Sequence, residues 1–185
     1  MTKSYLTANQ LMHDSFQLAH QVYCSGFHPE VIIALWRGGT PVGCVLHEYL
    51  RFRGVECNHT AVKVSSYTGI GTYGDAVIEN IEAVRAIIAP GARLLVVDDI
   101  FDSGRTAEAV HAALSPLTAT IRFAMPYYKP CNNTTRLVPD YFVHQTDSWL
   151  VFPHELDGLT PEEIQQKDPF IASLCATSSI PSSSR

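Results

Sequence analysis

Arg93-Leu94-Leu95-Val96-Val97-Asp98-Asp99-Ile100-Phe101-Asp102-Ser103-Gly104-Arg105-Thr106 begins as a strand and ends at the start of a helix. An unbroken apolar run such as Leu94 to Val97 suits a strand covered on both faces, the normal state of a parallel sheet. Two carboxylates follow it at once. Unpaired buried carboxylates are costly, so Asp98 and Asp99 should meet hydroxyls, a metal or cations. Strand alternation sends adjacent side chains to opposite faces, so the two need not share one role. Asp102 to Thr106 then leads directly into a helix. Successive backbone N–H groups at such a junction form an anion-binding nest, and the helix dipole adds to it. Ser103 and Thr106 can donate to the same anion, and Gly104 lets backbone approach closely.

Working outward, strand and helix patterns alternate. Ala8 to Cys24 has a helical apolar face, and Val31 to Trp36 is a buried-strand run turned by Gly38-Gly39. Pro41 to Phe52 reads as a helix, Ala61 to Ser65 as a strand, and Ala76 to Ile88 as a short strand and a helix. Thr118 to Met125, Tyr141 to His144 and Trp149 to Phe152 read as further extended pieces. Thr160 N-caps a last helix opened by Pro161. Ser66 to Asp75 carries three glycines and no core pattern, and is expected to be a mobile surface loop. Residues 1–175 are expected to form one domain, with a disordered Ser-rich tail over 176–185. The alternation predicts an α/β fold, a mostly parallel central sheet flanked by helices. Such sheets bind ligands at the carboxyl ends of their strands, here Trp36 to Gly39, Ser65 to Tyr67 and Asp98 to Thr106.

A length of 185 residues with 46% hydrophobic and 17% charged content is ordinary for a globular domain. The net charge of −5 and the absence of basic blocks argue against nucleic acid as the main partner. No apolar run approaches the ~18 residues of a membrane span, and the N-terminus has no signal-peptide pattern. The five cysteines are odd in number and never form Cys-x-x-Cys, which fits free thiols in a reducing, cytoplasmic setting. None of the eight histidines forms a metal-ligand set. The glycine patterns of P-loop and dinucleotide-binding sites are absent.

At Val96 to Thr106 the sequence resembles the type I phosphoribosyltransferases, and within them the 6-oxopurine group (hypoxanthine, guanine, xanthine). The resemblance runs from about Val31 to Glu155. It implies the type I phosphoribosyltransferase fold, with a small hood built from terminal segments. It also implies 5-phosphoribosyl-1-pyrophosphate (PRPP) and a purine base as substrates, Mg2+ as cofactor, and a homo-oligomer, dimer or tetramer. By resemblance Asp98 and Asp99 hold the ribose hydroxyls, with Asp99 contacting magnesium. Asp102, Ser103, Gly104, Arg105 and Thr106 cradle the 5′-phosphate. Arg37-Gly38-Gly39 resembles the pyrophosphate loop, often preceded by a cis peptide, here Trp36-Arg37. Ser66-Tyr67 begins a segment resembling the lid, which excludes water on closing. That segment, Ser66 to Asp75, contains no Arg or Lys, and Lys63 is the nearest substitute.

Lys129 matches the lysine that donates to the purine 6-oxo group, and Trp149 the aromatic that stacks on the base. Leu150 would offer backbone groups to the base edge, and Glu155 matches an acid near a second magnesium. Asp102 matches an acid that interacts with purine N7, moving a proton there as N9 attacks the ribose carbon. Lys129 would oppose an exocyclic amine, so it and Asp102 both point to oxopurines. The implied activity makes a purine nucleoside 5′-monophosphate and pyrophosphate in purine salvage, with hypoxanthine and guanine favoured. Xanthine-guanine preference is the alternative. A PRPP-sensing regulator without catalysis would add a DNA-binding domain or a basic face, and the sequence shows neither.

Overall fold

A computed structural model describes residues 3–69, 72–79, 81–118 and 120–176. In chain order its elements are β1 (Lys3–Tyr5), α1 (Ala8–Cys24), β2 (Val31–Trp36), α2 (Gly39–Phe52), β3 (Asn58–Gly69), β4 (Thr72–Ile78), α3 (Ile81–Ile87) and β5 (Arg93–Val97). There follow β6 (Ile100–Phe101), α4 (Arg105–Leu114), β7 (Thr120–Ala124), β8 (Tyr127–Tyr128), β9 (His144–Gln145), β10 (Trp149–Val151), α5 (Pro161–Lys167) and α6 (Pro169–Ala176). The central sheet has the order β4-β3-β2-β5-β7, parallel throughout except for the β3–β4 edge pair.

The apolar runs of β2 and β5 are continuous because both sheet faces are covered. Ile32, Leu95 and Val97 pack under α1 and α2, against Leu18, Val22, Leu46 and Leu50. Their neighbours Val31, Ile33, Leu35, Leu94 and Val96 pack on the opposite face with Val84 of α3 and Val110 and Leu114 of α4. Alternation along the strand divides one apolar string between two cores.

The terminal segments meet. β1 pairs in parallel with β10, matching Lys3 to Trp149 and Tyr5 to Val151. Lys3 Nζ lies 2.6 Å from Glu163 of α5. Thr160 caps α5 as expected, in a full capping box: Glu163 N–H donates to Thr160 Oγ1 at 3.3 Å and Thr160 N–H to Glu163 Oε2 at 3.0 Å. Lys3, and next the Thr160 N–H, hold the Glu163 carboxyl below its ordinary pKa. Lys167 Nζ donates to the Phe152 carbonyl at 2.8 Å, which fastens α5 to the segment after β10. These contacts make the expected hood.

Ser66 to Asp75 differs from its expectation as a surface loop. β3 runs on to Gly69 and β4 returns antiparallel to it, pairing Ser65 with Val77, Ser66 with Ala76 and Thr68 with Tyr73 across a register shift. A hairpin ladder is satisfied by backbone hydrogen bonds and needs no buried face, so the missing core pattern did not exclude strands. Ile70 and Gly71 lie outside the described residues. The tail expected over 176–185 does too from residue 177 on, Ala176 being the last residue of α6. Tyr141 to His144 contributes only an isolated bridge from Tyr141 to Ala124 and the short β9. No helix among the described residues is long and apolar enough to cross a membrane.

Candidate active site

The carboxyl ends of β2, β5 and β7 point to one rim of the parallel sheet, and the expected residues gather there. The Trp36-Arg37 peptide is cis, as the resemblance implied. Gly38 and Gly39 follow, pressed against the end of β5. A Cβ on Gly38 would lie 2.2 Å from Asp99 Oδ2, and one on Gly39 would lie 2.3 Å from the Val97 carbonyl oxygen. The backbone contact requires glycine at position 39, and at position 38 any Cβ would have to displace the Asp99 carboxylate. The first loop of the site therefore rests directly on the carboxylate pair of the second.

Asp98 and Asp99 sit side by side with different partners. Asp99 N–H donates to Asp98 Oδ1 at 3.0 Å. Burial, and then the charge of Asp99, push the Asp98 carboxyl well above its ordinary pKa. Asp99 is buried, and His154 Nε2 lies 3.2 Å from its Oδ2. The site thus concentrates negative charge where a cation or a set of hydroxyl donors would relieve it. His154, whose ring stacks on Phe152, was not singled out from the sequence. Its only sequence signal was its place beside Glu155.

The motif turn continues through β6 into α4. Gly104 has φ +79° and precedes Arg105, and as the N-cap residue it has no side chain to take the amides of α4. The first amides of α4 therefore face the space beside Ser103. Arg105 N–H reaches Ser103 Oγ at 3.4 Å, and Arg105 and Thr106 are exposed.

Lys129 comes to the same place from the end of β8. It is buried, and its Nζ lies 3.5 Å from Asp102 Oδ2. The two residues that separately pointed to an oxopurine are thus adjacent. Trp149 opens β10 with 55% of its surface exposed, and Leu150 beside it is half-buried. An exposed indole on the hood is available for stacking.

Two other expected residues are placed differently. Lys63, the suggested basic substitute for the lid, is paired with Glu79 at 2.8 Å. Glu155 turns one oxygen back on its own loop, where Oε2 accepts from Phe152 N–H at 2.9 Å, and it is His154 that meets Asp99. Among the described residues no group of three or more His, Cys, Asp or Glu side chains could hold a metal ion. A magnesium ion at Asp99 would have to take most of its ligands from substrate and water, as this hard cation commonly does.

The family model for the phosphoribosyl transferase domain matches residues 1–157. The chain belongs to the phosphoribosyltransferase family. Among its relatives, a xanthine-guanine phosphoribosyltransferase of Desulfotalea psychrophila is 30% identical over 152 residues, 81% of this chain and 84% of the relative. A solved purine phosphoribosyltransferase from Pyrococcus horikoshii is 31% identical, covers 86% of this chain and 98% of its own, and superposes with a TM-score of 0.70. A Bacillus anthracis hypoxanthine-guanine phosphoribosyltransferase shares the fold, with a TM-score of 0.60 at 21% identity over 76% of this chain and 79% of its own.

Proposed function

We propose that this phosphoribosyltransferase moves the 5-phosphoribosyl group of PRPP onto N9 of a 6-oxopurine, releasing pyrophosphate. The observation that carries the substrate class is the pairing of buried Lys129 with Asp102 on one rim of the sheet. Lys129 can donate to the 6-oxo group while Asp102 exchanges a proton with the neighbouring N7. An adenine, with an amine at C6, would place donor against donor. Guanine is the base common to the names of the Desulfotalea and Bacillus relatives, so it is the first to test.

In the reaction the N9 electron pair of the N7–H purine forms the bond to the ribose carbon, Asp102 takes the N7 proton, and the carbon–oxygen bond to pyrophosphate breaks with its pair leaving on oxygen. Asp98 and Asp99 would hold the ribose hydroxyls, and the amides from Ser103 to Thr106 the 5′-phosphate. Arg37 and the Gly38-Gly39 turn would meet the pyrophosphate, and Trp149 would stack on the base with Leu150 at its edge. Ser66 and Tyr67 would belong to the segment that closes over the centre. When bound, magnesium would supply charge neutralisation for the leaving pyrophosphate; Asp99 would hold it, with substrate and water as the other ligands. Orientation and fixed donors would supply most of the acceleration.

The test is pyrophosphate release from PRPP and magnesium with guanine, hypoxanthine, xanthine or adenine, and competition among the first three. Release with at least one oxopurine and none with adenine is expected. Asp102→Asn should lower turnover by roughly 100-fold or more, the usual scale for a lost general acid–base, while PRPP still binds. No pyrophosphate release with any of the four bases would refute the enzymatic reading.

A further inference from the structure

Asp102 lies on a short turn between β6 and α4 with its side chain 46% exposed, so its own element does not fix the direction of its carboxylate. Two side chains from another segment meet it. Lys129 Nζ is 3.5 Å from Oδ2, while Asn132 Nδ2 donates to Oδ1 at 2.7 Å. The shorter contact comes from a neutral amide thirty positions away in sequence. The segment bearing Asn132 is itself anchored to the motif. Lys129 N–H donates to the Phe101 carbonyl at 2.9 Å, and Thr134 N–H to the Ser103 carbonyl at 3.0 Å. Between these anchors the one-turn 3₁₀ helix Pro130–Asn132 is closed by Asn132 N–H on the Lys129 carbonyl at 3.2 Å.

We propose that Asn132 is a positioning residue for the transfer reaction: its amide holds Asp102 Oδ1 so that Oδ2 lies beside Lys129, where purine N7 and the 6-oxo group would arrive together. In the tautomer that leaves N9 free to attack, N7–H donates and O6 accepts on one edge of an oxopurine, so an acceptor carboxylate and a donor ammonium can read them at once. The choice of amide has a chemical reason. A second cation at Oδ1 would orient the carboxylate but also lower its basicity, opposing proton exchange with N7. An amide orients it and leaves its charge intact. The proposal rests on the reading of Asp102 given above.

The experiment compares wild type, Asp102→Asn, Asn132→Ala and the isosteric Asn132→Asp in steady-state assays with guanine and PRPP, together with thermal melts. Asn132→Ala should lower kcat about tenfold, within the roughly 100-fold that a misplacement of about 1 Å costs. Asn132→Asp should be slower still, because it sets a second carboxylate against the first. The KM for PRPP should move less than about twofold in both, and the melting temperature of these exposed-site variants should stay near wild type. Wild-type kcat in Asn132→Ala alongside a slow Asp102→Asn would overturn this inference and leave the reading of Asp102 intact. A fast Asp102→Asn would overturn both. Asn132→Asp no slower than Asn132→Ala, or a loss shared by PRPP affinity and melting temperature, would show a merely structural residue.

Discussion

Replacing Gly104 by alanine tests how the motif turn is held together. Two costs are expected. The backbone at φ +79° suits glycine, and an L-residue there costs about 1–2 kcal/mol. The new methyl group would also lie 2.4 Å from Thr135 Oγ1, 2.6 Å from Asn133 Oδ1 and 3.0 Å from Phe101 Cε1. These atoms are not free to retreat. Asn133 Oδ1 accepts from Thr135 N–H at 2.9 Å, and Asn133 Nδ2 donates to the Leu137 carbonyl at 2.7 Å. Overpacking of this kind costs about 1–3 kcal/mol, which brings the total to about 2–5 kcal/mol. For a chain of this length that corresponds to a fall in melting temperature of roughly 4–20 °C. Gly158 supplies the control, with φ +80° and nothing within 4 Å of its built Cβ. Gly158→Ala should lose only the backbone part, about 1–2 kcal/mol. Denaturant unfolding of both variants isolates the steric part by difference, and PRPP titration should show weakened binding in Gly104→Ala alone. Equal stability losses in the two variants would refute the argument from close approach.

Asp98→Asn should stabilise the ligand-free protein at neutral pH, as thermal melts across pH would show. Because the folded carboxyl titrates above its ordinary 3.8, the folded state holds its proton to higher pH than the unfolded chain. The associated stability is present below about 3.8 and is lost as pH rises through the folded value. The variant should therefore match wild type near the acid end, exceed it at neutral pH, and bind PRPP more weakly. Thr160→Ala removes one half of the α5 capping box and should cost about 1 kcal/mol in denaturant unfolding with turnover unchanged.

The buried strands, the motif turn and the capped helix α5 were legible because each is specified by neighbours in the chain, whereas α6, which follows the helix expected to be the last, was not. Leu94 to Val97, Gly104 before Arg105, and Thr160 with Pro161 and Glu163 carry their own local reasons for strand, turn and cap. β1 and β6 were not legible, since strands of three and two residues are defined only by partners far along the chain. The β3–β4 hairpin escaped for a related reason: its signal is a cross-strand ladder, while the sequence pattern sought was a buried face.

The same division runs through the site. The sequence by itself determined which residue types stand at the strand ends: paired acids, a glycine turn after Trp36, a hydroxyl-rich nest, and a lysine after Tyr128. Only the tertiary structure decided which of them touch. Asp14, a single acid on the inward face of α1, proves to bind Tyr127 and, at 2.9 Å, His144, and burial together with that acid raises the Tyr127 pKa. His154 rather than Glu155 reaches Asp99, and Asn132 reaches Asp102. Such contacts join residues many positions apart, and their directions depend on how whole elements pack. Residue chemistry is written along the chain; the distances between side chains of different elements exist only once the two cores have closed around the sheet.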